Sequence, residues 1–138
     1  MRRAVVLSAA LIAAYATPAR AQDVTLASVA GSWHMRVMVG PKDSIVLMNM
    51  MVASADKDKW VMKNPGQTTP VALRVVAVGG DSVATEAGPY PSALRPGQTV
   101  TMLRNVLHFK GDKGTGWFEA HYSAGDVVKG KLEATRSK

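Results

Sequence analysis

The sequence predicts an all-β protein: a single antiparallel up-and-down β-barrel of about eight strands that follows a cleaved N-terminal signal peptide. Beyond residue 21, Gly, Pro, Asn or Asp interrupts the chain about every 8 to 12 residues, and short runs rich in Val, Met, Trp and Thr lie between the interruptions. Apolar residues do not recur with the three- and four-residue spacing of a helix. Together these features are typical of a β-sandwich or β-barrel.

Alternation of apolar and polar residues places the strands. Trp33 and Met35 fall on one face of the first strand, and Trp60 and Met62 share the apolar face of the third. The second strand is apolar on both faces apart from Asn49. The predicted strands cover residues 33–39, 45–53, 58–64, 71–78, 82–87, 99–109, 115–122 and 127–136.

The segments between these strands contain turn-forming residues. Gly79, Gly80 and Asp81 form a hairpin turn of the glycine-rich kind that permits positive φ. Residues 88–97 read GPYPSALRPG, and their three prolines predict a loop rather than a strand. The sixth strand is expected to bend or bulge near Asn105, while a break at Arg104 and Asn105 would instead give nine strands.

The loops divide by length between the two ends of the predicted barrel. The connections after the first, third, fifth and seventh strands include the longest, GPYPSALRPG, whereas those after the second, fourth and sixth are tight turns. We therefore expect a cup with an open mouth and a closed end. Eight strands closed on themselves enclose packed side chains or one small ligand.

A Gly-x-Trp motif, Gly31 to Trp33, opens the first strand. Counting back by two from Arg136 gives Ala134 and Leu132, so the arginine shares the inward face of the last strand. This combination resembles the calycins, which include the lipocalins, the avidins and the fatty-acid-binding proteins. The resemblance implies that Trp33 plugs the closed end, with the Arg136 guanidinium stacked on it. It implies structural roles for Gly31, Trp33 and Arg136, and an interior that holds a small ligand.

The chain departs from typical lipocalins because it has no cysteine and lacks the helix that follows their barrel. Bacterial proteinase inhibitors with an export signal use a similar small barrel and a similar Gly-x-Trp. An inhibitor or another protein-binding adaptor is therefore the alternative to a ligand-binding module.

Residues 1–21 have the pattern of a secretory signal peptide. Arg2 and Arg3 form a basic head, residues 4–14 are apolar, and Ala19 and Ala21 give the small-x-small pattern of a cleavage site. Eleven apolar residues are fewer than the about 20 that span a bilayer, so no integral membrane span is expected. The sequence therefore predicts export to the periplasm or the medium, and one domain over residues 22–138.

Composition argues against several other classes of function. Loss of Arg2, Arg3 and Arg20 from the 17 Lys and Arg residues would leave 14 against 10 acidic residues, which lowers the formal charge from +7 to +4. These charges are dispersed and no basic stripe with stacking aromatics appears, so nucleic-acid binding is not expected. The absence of cysteine excludes disulfides and thiolate chemistry.

The residues that carry chemistry do not form a catalytic or metal-binding motif. His34 and His108 are expected to point outward, and a pair formed by Glu119 and His121 is more typical of a solvated outer face. No enzyme, metal site or cofactor is predicted. Methionine and histidine can hold Cu(I), which makes copper handling a weaker alternative, but Met48 and Met51 fall on opposite faces of one strand.

We expect a small apolar ligand inside the barrel, with adaptable methionines in the lining. Tyr90 and Arg95 in the long loop would contribute specificity at the mouth. A cavity of roughly 300 Å³ or more would favour this interpretation, and a filled interior would favour the protein-binding alternative. The predicted interior ligand-binding residues are Trp33, Met35, Trp60, Met62, Phe118 and Tyr122.

Overall fold

A computed structural model describes residues 23–138, so the predicted signal peptide lies outside the described residues. One short helix precedes a continuous series of strands. The elements are α1 (Leu26–Val29), β1 (Gly31–Val39), β2 (Ser44–Ala53), β3 (Trp60–Lys63), β4 (Val71–Gly79), β5 (Ser82–Ala87), β6 (Tyr90–Pro91), β7 (Thr99–Lys110), β8 (Lys113–Tyr122) and β9 (Val127–Arg136).

The strands form one closed antiparallel up-and-down barrel, which confirms the predicted fold class. The strand order is β5-β4-β3-β2-β1-β9-β8-β7-β6, and the additional β5–β7 pairing closes the sheet. β5 and β6 both pair with the same edge of β7, one after the other, so the barrel has eight strand positions. Consecutive antiparallel strands joined by short turns explain this order.

Two details of the predicted strands were wrong. The loop of residues 88–97 contains a two-residue strand, β6, which pairs with the start of β7. Pro91 is compatible with this position because β6 lies at the end of the strand order, where no second neighbour needs an N–H donor. β7 runs unbroken through Asn105, and its irregularity lies between Val100 and Met102 instead.

Alternation correctly identified the inward face of the first strand. Trp33, Met35 and Val37 are buried, whereas Arg36 is exposed. The pairing of β1 with β2 shifts register after Val37 because β2 carries one extra residue there, Val46. β1 keeps its regular pairing with β9, and Met38 shares the outer face with its exposed partners Ile45 and Lys131, as expected. Met38 is nevertheless buried, outside the main core cluster.

Trp33 lies at the closed end of the barrel and is completely buried. Its ring packs edge-to-face against Phe109 with 5.0 Å between centroids, and its Nε1 donates to the Val29 carbonyl at 2.8 Å. Arg136, the register partner of Trp33 on β9, holds its guanidinium 4.5 Å from the indole centroid. An apolar plug capped by a cation therefore closes this end.

Arg136 also ties the chain before β1 to the last strand. Its Nη1 donates to the Ala30 carbonyl at 2.6 Å and its Nη2 to the Ser28 carbonyl at 2.8 Å. Gly31 has a φ of +131°, and a Cβ added there would lie 3.1 Å from Arg136 Nη1. The glycine of the Gly-x-Trp motif thus permits both the backbone conformation and the close approach of the arginine.

Candidate ligand-binding cavity

The half of the barrel nearer the open end contains a cavity of about 60 Å³. Its wall is mainly apolar, and none of the described residues that line it is charged. The apolar part of the wall includes three methionines, whose side chains adapt easily to irregular space. The lining residues are Met35, Val37, Leu47, Asn49, Met51, Met62, Asn64, Leu73, Tyr90, Ser92, Ala93, Leu94, Val100, Leu103, Asn105, Phe118, Ala120, Tyr122 and Leu132.

The segment of residues 90–98 covers the open end, and we call it the lid. Its first two residues, Tyr90 and Pro91, are held by the pairing of β6 with β7. Ser92 N–H then donates to the Gln98 carbonyl at 2.9 Å, which closes the remainder into a compact loop. Ser92, Ala93 and Leu94 face the cavity as part of its lining.

Two contacts hold the lid against the end of β8. The buried hydroxyls of Ser92 and Tyr122 lie 2.9 Å apart within a hydrogen bond. The Arg95 guanidinium lies 4.8 Å from the Tyr122 ring centroid and 3.0 Å from the Asp126 carboxylate. Because Arg95 and Asp126 are substantially exposed, their ion pair contributes about 0–1 kcal/mol. The hydroxyl pair and the aromatic contact are thus the main local restraints.

Tyr90 occupies the junction between the lid and the cavity wall. Burial raises the pKa of its phenol above the ordinary value of 10.0, and interaction with Tyr122 adds to this effect. A phenol that resists ionisation remains a neutral hydrogen-bond donor at any physiological pH. Together with the uncharged wall, this makes the cavity suitable for a neutral molecule.

A chain of side-chain amides connects the cavity to the lid. Asn49 Nδ2 donates to Asn64 Oδ1 at 3.0 Å, and Asn64 Nδ2 donates to Gln67 Oε1 at 3.3 Å. Gln67 Nε2 donates in turn to the Pro91 carbonyl at 3.0 Å. Asn49 is a polar exception in an apolar strand of the sequence, but no local pattern predicts this connection, because its outer links join residues 15 and 24 positions apart.

The predicted ligand-binding residues separate into two groups in the structure. Met35, Met62, Tyr90, Phe118 and Tyr122 come together around the cavity. The remaining three lie elsewhere, at the closed end or on the outer side of the lid: Trp33, Trp60 and Arg95.

Trp60 faces the interior as predicted, but alternation alone did not show that it lies at the closed end of the barrel and away from the cavity. It faces inward and is almost fully buried, but its Nε1 donates to the Ser54 carbonyl in the β2–β3 turn at 2.7 Å. This turn belongs to the closed end, opposite the mouth. A strand's alternation identifies its inward face, whereas the height of a residue above the barrel floor depends on register.

The histidine and methionine candidates lie on the outer surface or are separated by the wall. His121 Nε2 and Glu119 Oε1 are 2.6 Å apart on the outer face of β8. Met48 is 57% exposed while Met51 is buried, so the methionines of β2 diverge. Within the described part of the chain, no group of three His, Asp or Glu side chains is placed to hold a metal ion.

A wider crevice of about 530 Å³ lies outside the cavity, beside the lid. It runs between the β3–β4 loop and residues 88–91, and Gln67, Tyr90 and Pro91 contribute to its wall. Tyr90 lines both the interior cavity and this outer, more polar depression.

Comparisons of the chain with protein-family models, with curated proteins and with solved structures found no match. Across residues 23–138, no helix has the length and apolar character needed to cross a bilayer. The class that the structure defines is a closed eight-stranded antiparallel barrel with a plugged end, a lidded end and a small apolar cavity between them.

Proposed function

We propose that this protein is a binding module that holds a small, neutral, mainly apolar molecule inside a calycin-like barrel. The observation that carries the proposal is the uncharged cavity beneath the lid. The contact between Trp33 and Arg136 supports the calycin resemblance. A fold alone does not decide function, and the cavity is the feature that supports ligand binding.

The volume limits the size of the ligand. At about 60 Å³ the cavity is well below the roughly 300 Å³ at which drug-sized pockets begin. It suits a molecule of a few heavy atoms as it stands. A larger ligand requires movement of the lid or of the methionine side chains.

The restraints on the lid are weak enough for such movement. The hydrogen bond between Ser92 and Tyr122 contributes about 1 kcal/mol net, and the contact of Arg95 with the Tyr122 ring contributes about 0.5–1 kcal/mol. The exposed ion pair between Arg95 and Asp126 adds at most about 1 kcal/mol. Displacement of residues 92–95 would therefore cost only a few kcal/mol on the scale of these contacts. Binding of an apolar body can offset a cost of this size.

Methionine methyl groups provide a direct test. With 13C-methyl methionine labelling, Met35, Met51 and Met62 report on the cavity wall. Met48 on the outer surface and Met38, which is buried outside the main core cluster, are matched controls. Small alcohols, ethers and alkanes at millimolar concentration should shift the three lining methyls and leave the controls unchanged. Shifts confined to the control methyls, or no shifts at all, would contradict the proposal.

Protein binding is the second candidate function, and the small volume of the cavity favours it. The lid presents Arg95 at the surface, where aromatic and arginine side chains often dominate interfaces. An inhibitor of proteinases should lose potency when Arg95 is replaced by alanine, in assays against a panel of purified proteinases. Lys59→Ala, on the β2–β3 turn at the opposite end, is the control.

Export is part of the same proposal. The basic head at Arg2 and Arg3, the apolar run of residues 4–14, and Ala19 and Ala21 support secretion followed by cleavage. A barrel without cysteine is compatible with an oxidising compartment because it has no thiol to oxidise.

A further inference from the structure

Asn49 has an unpaired oxygen in the wall of the cavity. The residue is 9% exposed and its Nδ2 is occupied by Asn64. Among residues 23–138, no donor lies within hydrogen-bonding distance of Asn49 Oδ1, and it is the one buried side-chain polar atom of those residues in this condition. A buried acceptor without a partner is destabilising, so this atom calls for a functional explanation.

The chain of hydrogen bonds from Pro91 to Asn49 determines that the unpaired atom of Asn49 is its oxygen, which is an acceptor. The Pro91 carbonyl can only accept, so Gln67 must present its NH₂ group to it and its oxygen to Asn64. Asn64 must then present its oxygen to the NH₂ group of Asn49. Reversal of any one amide would place two oxygens or two NH₂ groups against each other. The Pro91 carbonyl in the lid therefore determines that the unpaired atom of Asn49, inside the barrel, is a hydrogen-bond acceptor and not a donor.

We infer that the ligand is a neutral molecule with an apolar body and one hydrogen-bond donor, a hydroxyl or an amide N–H, which pairs with Asn49 Oδ1. This inference rests on the proposed function and narrows its ligand class. Carboxylates and phosphates are disfavoured because the oxygen repels them and no described lining residue carries a positive charge. The hydrogen-bond donor of the ligand is then the partner that Asn49 Oδ1 lacks among the described residues.

The surroundings of Asn49 permit a ligand to reach this oxygen. The atom is covered in the structure, but Met35 is the cross-strand partner of Asn49 on β1. Met51 lies two residues along β2, and both methionines line the cavity. Three rotatable bonds let a methionine side chain move aside without a change in the backbone.

Two isomeric probes test the inference. 1-Butanol and diethyl ether have the same atoms and similar hydrophobicity, but only the alcohol can donate a hydrogen bond. Titrations followed by the methyl signals of Met35, Met51 and Met62 should show about tenfold tighter binding of 1-butanol. Butyrate, the anionic counterpart, should bind more weakly than either.

The outcomes separate this inference from the proposed function. Equal binding of 1-butanol and diethyl ether overturns the donor inference and leaves the proposed binding module intact. Tightest binding of butyrate overturns the donor inference and also the neutral character of the proposed ligand. Failure of every probe to shift the lining methyls overturns both.

Two variants identify the atom responsible. Asn49→Leu should abolish the preference for the alcohol while it keeps an apolar cavity. Gln67→Leu removes the link to the Pro91 carbonyl from a partly exposed position, so it tests the relay in a protein that keeps Asn49. Because the side-chain amides of Asn64 and Asn49 are then free to reverse, the preference for 1-butanol over diethyl ether should fall severalfold. An unchanged preference in Gln67→Leu contradicts the relay, even if Asn49→Leu does not fold.

Discussion

The guanidinium of Arg136 lies 4.5 Å from the ring centroid of Trp33, and these two residues are direct register partners on β9 and β1. The contact joins the last strand to the first at the closed end. Since Arg136 also donates to the carbonyls of Ser28 and Ala30, it holds the helix-bearing segment over the barrel floor.

Replacement of Arg136 by lysine should destabilise the fold by about 2 kcal/mol. Lysine keeps the charge but loses the planar stacking on Trp33 and cannot reach several acceptors at once. Urea unfolding measures the change. Arg36→Lys is the control, because Arg36 is exposed and its pairing with Glu133 is long, 3.9 Å; it should change stability by less than about 0.5 kcal/mol. Equal effects of the two substitutions would contradict a role for the stacked pair.

Gly31→Ala should cost about 1–3 kcal/mol of folding free energy. Its φ of +131° is unfavourable for a residue with a Cβ, and the added atom would lie 3.1 Å from Arg136 Nη1. Thermal and urea unfolding would register the loss. Gly79→Ala, where a Cβ meets nothing within 4 Å and no positive φ is required, should be close to neutral. A neutral Gly31→Ala variant would show that the motif glycine is dispensable.

The stability of the protein should fall at alkaline pH in a way that depends on Tyr90. Burial raises the pKa of Tyr90 in the folded state above its ordinary value of 10.0, so the folded protein keeps a proton that the unfolded chain loses. The contribution of Tyr90 to the free energy of unfolding is therefore fully present below pH 10 and is lost as the pH rises beyond 10. The difference in unfolding free energy between the wild type and Tyr90→Phe should decrease above pH 10. A pH-independent difference would contradict the raised pKa.

Tyr122→Phe should loosen the lid. The substitution removes the hydroxyl that lies 2.9 Å from Ser92 Oγ, a bond of about 1 kcal/mol, so the amide hydrogen of Ser92 should exchange about fivefold faster. That amide is protected by the Gln98 carbonyl. The Phe109 amide, bonded to the Asp81 carbonyl at the closed end, should exchange as before. No acceleration at Ser92 would show that other contacts hold the lid.

Export predicts a defined mature protein. Material purified from the native host should have a mass that corresponds to a chain beginning at Gln22, because cleavage is expected after Ala21. Intact mass spectrometry measures this directly. Ala19→Arg, which disrupts the small-x-small cleavage pattern, should accumulate the uncleaved form. A mature chain that still begins at Met1 would contradict the signal peptide.

Local sequence patterns predicted the inward faces of the strands and the positions of the turns, because these features depend on only a few neighbouring residues. Alternation correctly identified Phe118, Ala120 and Tyr122 as the inward face of their strand, since side chains of a strand point to opposite faces in turn. Counting by two along the last strand correctly placed Arg136 on the same inward face as Trp33. Turn residues located the breaks, because Gly and Pro restrict which backbone conformations are accessible.

Tertiary structure decided the site, because its contacts join residues that no local pattern connects. Asn49, Asn64 and the Pro91 carbonyl meet only after the sheet has closed and the lid has folded over it. The register shift after Val37 depends on how β1 pairs with β2, which carries one extra residue at this point. The sequence by itself therefore determined which faces turn inward. The height of each residue in the barrel and the orientation of the Asn49 amide, which leaves its oxygen unpaired among the described residues, depend on long-range pairing.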